Sequence, residues 1–140
     1  MAHVGRSAVT LRVMGDDLIP DEIARLLGAS PTHAKAKGEK TVGKVTGRVR
    51  VEKSGMWQLS AADHEPEDMD GQVQEILSKV TDDLAVWRGI TDRYAVDLFC
   101  GLFMRRGNEG LTMSAQSLAA LGVRGIGMNL DIYAGDDDDE

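Results

Sequence analysis

Ala8-Val9-Thr10-Leu11-Arg12-Val13-Met14 is the stretch whose reading decides the fold. Val9, Leu11 and Val13 alternate with Thr10 and Arg12, the period of a strand with one face buried and the other in water. Gly15-Asp16-Asp17 breaks it, and Pro20-Asp21-Glu22 opens a helix. Proline suits the first turn of a helix, and acids suit the positive end of its dipole. Ile23, Leu26 and Leu27 form the helix's apolar stripe, Gly28 is placed to end it, and Pro31 prevents continuation.

Thr32 to Lys44 is rich in Lys, Gly and Ala without periodicity and reads as a loop. Val45 to Glu52 then alternates Val45, Val49 and Val51 with Thr46, Arg48 and Arg50, and Ser54-Gly55 turns into Met56 to Ser60, which predicts a hairpin. Past an acidic stretch containing Pro66, the residues Met69, Val73, Ile76, Leu77, Val80, Leu84 and Trp87 recur at helical spacing and predict one long helix. A strand is expected over Ala95 to Met104, with Val96, Leu98, Cys100 and Leu102 on one face and Asp97 and Phe99 on the other. Thr112 or Ser114 can cap a short helix with Leu118 and Leu121 facing inward and Gly122 at its end. Met128 to Tyr133 alternates again and predicts a last strand.

These elements define an α+β domain over residues 1–135: an antiparallel sheet of about five strands with helices on one face. The first six elements follow the split βαβ order of ferredoxin-like domains. A faint internal echo links Ala8-Val9-Thr10-Leu11 with Leu27-Gly28 and Ala95-Val96-Asp97-Leu98 with Leu121-Gly122. At 140 residues one core is the usual solution, and the 42% apolar share is enough to build it. Of the net charge of −7, five units sit in Asp136 to Glu140, leaving −2 on the rest. A terminal run of like charges repels itself and is expected to be a disordered tail. No stretch is long and apolar enough to span a bilayer, and Met1 to Thr10 lacks a signal-peptide core, so a cytoplasmic location is expected. The single cysteine, Cys100, lies in an apolar run and fits a reducing compartment as a core residue.

Four blocks in order carry a family resemblance: Gly15-Asp16-Asp17-Leu18-Ile19-Pro20-Asp21-Glu22-Ile23, Leu26-Leu27-Gly28-Ala29-Ser30-Pro31-Thr32, Ser54-Gly55-Met56-Trp57 and Leu130-Asp131-Ile132-Tyr133. Together they resemble a bacterial family, domain of unknown function 4279. The resemblance spans nearly the whole chain and implies an α+β domain of bacterial origin; it brings no catalytic residues.

The residues themselves argue against most chemistry. His3, His33 and His64 lack partners at metal-ligand spacing, so no metal and no cofactor are expected. Cys100 is expected to point into the core without a neighbouring base. Asp16-Asp17 and Asp82-Asp83 point in different directions and suit turns and solvation. Gly122 to Gly127 leads from helix to strand, the reverse of a phosphate loop. Trp57 and Trp87 fit core packing.

The working surface expected instead is the sheet face away from the helices: Thr10, Arg12, Thr46, Arg48, Arg50, Gln58, Asp97, Phe99, Asn129 and Asp131. Arg12, Arg48, Arg50, Phe99 and Asp131 are its candidate partner-binding residues, because exposed aromatics and arginines anchor interfaces. The function expected is a non-enzymatic protein-binding module, of immunity or regulatory type. Small-ligand sensing is the alternative by fold analogy. Nucleic-acid binding through the basic segment 35–53 is a third reading, opposed by net acidity and the interspersed Glu39 and Glu52. A homodimer through an uncovered face or edge is a further association to expect.

Overall fold

The computed structural model describes residues 3–135; the acidic run 136–140 read above as a tail lies outside them. Its principal sheet is built on β1 (Arg6–Gly15), the strand quoted first above. Val9, Leu11 and Val13 are buried on one side of it, while Thr10, Arg12 and Met14 are half-buried on the other. β1 pairs antiparallel with β5 (Gly55–Ser60) and with β6 (Ala95–Phe103), so both of its backbone edges are satisfied and only its faces differ. β2 (His33–Lys35) lies outside β5, and β7 (Gly127–Tyr133) lies outside β6. The order is β2-β5-β1-β6-β7, a mixed α+β arrangement with a mostly antiparallel five-stranded sheet.

Among the described residues four helices accompany the sheet: α1 (Pro20–Leu27), α2 (Met69–Lys79), α3 (Leu84–Arg93) and α4 (Ala115–Val123). α1 contacts β5, α2 contacts β1, and α3 contacts β6. Between helices and sheet lies one core that includes Leu11, Ile23, Leu27, Trp57, Val73, Ile76, Trp87, Leu98 and Cys100. Both tryptophans are fully buried, as their periodicity predicts. Gly28 ends α1 in the left-handed conformation (φ 70°), its N–H donating to the Ala24 carbonyl, and Ser114 caps α4 by accepting from the Ser117 N–H.

A buried polar set fixes α2 against β1. Ser7 Oγ donates to Gln72 Oε1 (2.5 Å) and accepts from the Asp68 N–H (3.1 Å). Gln72 Nε2 in turn donates to the carbonyls of Ser7 (3.0 Å) and Ala62 (2.8 Å). Every polar atom of the two side chains is thereby partnered, which is the condition for burying them without penalty. At the same end of α2, Asp70 accepts from the N–H and hydroxyl of Ser114 and so joins α2 to α4. These hydrogen bonds, the backbone one foremost, hold the Asp70 carboxyl below its ordinary range.

Six expectations need correction. The long helix is two, because Thr81 leaves it: its N–H donates to the Leu27 carbonyl at the end of α1 (2.8 Å), its carbonyl accepts from Trp87 Nε1 (2.7 Å), and Asp83 caps α3. Short polar side chains favour such caps over helix interiors. The hairpin over 45–60 does not form. Gly47 takes φ 66° and turns the chain, Val45 is 98% exposed, and β4 (Val49–Val51) pairs with β3 (Lys40–Val42) in a separate two-stranded ribbon. The place beside β5 goes to β2, from the segment read as a loop. β7 runs parallel to β6, since α4 acts as a crossover and returns the chain to the same end of the sheet. In α4, Leu121 is buried but Leu118 is 51% exposed, and the left-handed glycine is Gly125, not Gly122. The internal echo also divides: β7 is a direct neighbour of β6, whereas β5 separates β2 from β1.

Leu11→Ala should lower the free energy of unfolding by about 2–5 kcal/mol, and Leu118→Ala should stay within about 0.5 kcal/mol. Urea titration of both variants against the parent chain measures the difference.

Candidate functional site

The face of the sheet opposite the helices is assembled by register. Arg12 stands across from Asp97 on β6 and Gln58 on β5; Thr10 stands across from Phe99 and Ser60. Phe99, Gly101 and Phe103 in turn face Asn129, Asp131 and Tyr133 on β7. Because side chains alternate, these residues share one face.

Two groupings lie on it. In the first, Arg12 grips Asp97 with two hydrogen bonds, Nε to Oδ1 at 2.7 Å and Nη2 to Oδ2 at 2.5 Å. Asn129 Nδ2 donates to the same Oδ2. The guanidinium also lies over the Phe99 ring, 4.6 Å from its centroid. A planar fork on a carboxylate and a flat cation on an aromatic face are both arrangements that arginine forms and lysine does not. The hydrogen bonds to Asp97 raise the Arg12 pKa further, outweighing partial burial. With side-chain exposures of 24% and 12%, Arg12 and Asp97 satisfy one another rather than project outward.

In the second grouping, Phe103 and Tyr133 stack with centroids 4.7 Å apart and planes 1° from parallel. Arg6 covers the Phe103 ring at 3.7 Å, and its Nη1 is paired with Asp63 at 2.6 Å. Tyr133 donates its hydroxyl to Asp131 Oδ2 (2.8 Å), which raises the phenol's pKa by holding its proton against a carboxylate. Gly101 makes room here: a Cβ on it would meet the Phe103 ring at 3.3 Å.

Of the residues singled out from the sequence, the structure brings Arg12, Phe99 and Asp131 onto this face. It separates Arg48 and Arg50, because the ribbon that carries them is not part of the sheet: Arg48 lies in the turn before β4, and Arg50 lies on β4 with Nε 3.9 Å from Glu52. Arg50 does line a cleft of about 460 Å³ with Val51, Glu52, Lys53, Met14 and Met56, where the ribbon meets one end of the face. In the basic segment 35–53, Lys35 and Lys37 also have carboxylates within 4 Å, on Glu39 and Asp16. Arg6, Phe103 and Tyr133 escaped the sequence reading. A signal for Phe103 was present, since the alternation of Asp97 and Phe99 continues through Gly101 and reaches it at the next step.

Cys100 is fully buried on the opposite, helix-covered side, where desolvation pushes its thiol up to about 12. Among the described residues no group of three or more His, Cys, Asp or Glu side chains is gathered where a metal ion could be held. No helix among them is long and apolar enough to cross a membrane.

Fold and face together define an α+β domain with a helix-covered core side and an open polar-aromatic side. The chain belongs to the family described as domain of unknown function (DUF4279), whose model matches residues 4–135. No curated protein and no solved structure matches it.

Arg12→Leu should cost about 1–3 kcal/mol of stability by leaving Asp97 with Asn129 as its remaining side-chain donor; adding Asp97→Leu should recover part of that loss, a non-additivity read from a double-mutant cycle. Cys100 should resist a thiol reagent at pH 8 in the native protein and react at once in denaturant, as followed by absorbance.

Proposed function

We propose that the protein is a binding module whose open sheet face receives a protein partner, in a regulatory or immunity role within a bacterial cytoplasm. One observation carries this reading: Phe99, Phe103 and Tyr133 lie on the sheet face opposite the buried Leu98, Cys100 and Leu102, with Arg12 and Arg6 laid over two of the rings. Aromatic and arginine side chains already held in place lose little freedom when a partner packs on them, so they suit interface anchors. The carboxylates of Asp97 and Asp131 offset the arginines, which favours a mixed protein surface over a polyanion. The buried, unpaired Cys100 is compatible with a reducing cytoplasm.

The strand order β2-β5-β1-β6, antiparallel throughout, supports a ferredoxin-like reading of these four strands, with β7 and the ribbon as additions. Ligand sensing is the second reading, favoured by the cleft of about 460 Å³ between ribbon and sheet, whose methionines and charged rim match the size and mixed lining of small-molecule sites.

Affinity capture from the cell of origin, quantified by mass spectrometry, tests the first reading with Phe99→Ala and Tyr133→Ala beside the parent chain. Partners that fall by about tenfold or more with both variants, at unchanged melting temperature, are expected. Identical capture by all three proteins would refute the face as the working surface.

A further inference from the structure

The two edges of the sheet are built differently. β2, at one edge, is three residues long and carries Lys35, the kind of short, charged edge that discourages pairing. β7, at the other, is seven residues long and contains neither proline nor a basic side chain. Among the described residues no strand pairs with its outer side. The Met104 N–H donates to the Tyr133 carbonyl, so the backbone groups of Tyr133, Asp131 and Asn129 turn toward β6. Those of Met128, Leu130 and Ile132 therefore turn outward. The same three residues lie on the core side of the sheet, opposite Leu98, Cys100 and Leu102, which are buried. Leu130 and Ile132 nevertheless stay 50% and 56% exposed, so the apolar layer runs out uncovered where the backbone is also unpaired. Past β7, Gly135 packs so closely on the backbone of Arg105 and Arg106, which follow β6, that a Cβ there would collide with it.

We propose that the occupant of this edge is β7 of a second copy, giving a twofold homodimer whose sheet has ten strands, five from each copy. A twofold axis makes the two β7 strands antiparallel, and the side chains select the register. Centring on Leu130 places Leu130 opposite Leu130, Met128 opposite Ile132 and Asn129 opposite Asp131. Apolar residues then meet on the core side, and an amide meets a carboxylate on the open face. Tyr133 falls opposite Gly127, where the space at the missing Cβ is open. The outward backbone groups of Met128, Leu130 and Ile132 all find partners, about six hydrogen bonds in all. Centring on Asp131 would set two carboxylates face to face, a destabilising pair. Centring on Asn129 would carry Ile132 and Tyr133 past the end of the other strand. The inference stands without a protein partner on the open face, since its driving features are the outward backbone of β7 and the half-exposed Leu130 and Ile132 on the core side.

The test uses the full chain. Light scattering during gel filtration should report twice the 15.1 kDa monomer mass. Leu130→Lys and Ile132→Lys, at half-exposed positions, should raise the dimer dissociation constant by about 100-fold or more with an unchanged circular dichroism spectrum. Leu130→Cys tests the register: residues facing one another in a hydrogen-bonded antiparallel pair have Cα atoms about 5.5 Å apart, within disulfide reach. Mild oxidation should therefore link Leu130→Cys dimers at least about tenfold faster than Asp131→Cys dimers. A parent chain that remains monomeric at about 100 μM would overturn the proposal. So would a dimer indifferent to both lysine substitutions, or faster linking through Asp131→Cys.

Discussion

The structure depends on β1 being hydrogen-bonded along both edges. A strand paired on both sides has no backbone left to offer, so everything further it contributes passes through its two faces. Val9, Leu11 and Val13 carry one face into the core, where α2 closes over them; Thr10 and Arg12 carry the other into the polar surface. A shift of the register by one residue would exchange these faces and bury Arg12 among the helices. That asymmetry ties the position of the helices to the existence of the open face.

Polar contacts then refine what the strand pattern sets up. Ser7 and Gln72 fix the start of α2 on β1, and Asp70 with Ser114 ties α2 to α4. Arg12 and Asp97 perform a different task on the far face: they hold each other, and Asn129 brings β7 into the same set. The arginine most prominent in the strand's sequence is therefore an internal support of that face as well as a part of its surface. Phe103, Tyr133 and Arg6 form the more outlying counterpart at the β7 side.

The candidate site was legible wherever a single strand's alternation decided it. Arg12, Phe99 and Asp131 fell on the expected side because each lies in a strand with a buried face. Arg48 and Arg50 were misplaced because Val49 and Val51 imitate such a strand while remaining exposed. Two exposed strands can satisfy each other's hydrogen bonds in a ribbon, and their valines then report β propensity and not burial. β2 was invisible for the opposite reason, since His33-Ala34-Lys35 pairs at an edge through its backbone and needs no apolar pattern.

The amino-acid sequence by itself determined the strand–helix alternation around β1, the core side of β5 and β6, the ends of α1, and the membership of Cys100, Trp57 and Trp87 in the core. These follow from local periodicity and from turn residues, which act over a few positions. Tertiary structure decided the direction of β7 and the separation of the ribbon and, together with the local cap at Asp83, the break between α2 and α3. In each of these a deciding hydrogen bond joins residues distant in the chain: Thr81 reaches back to Leu27, Tyr133 returns to Met104, and β5 takes its second neighbour from a segment more than twenty residues earlier. Such bonds depend on which partners the folded chain brings within reach, and no local pattern encodes them.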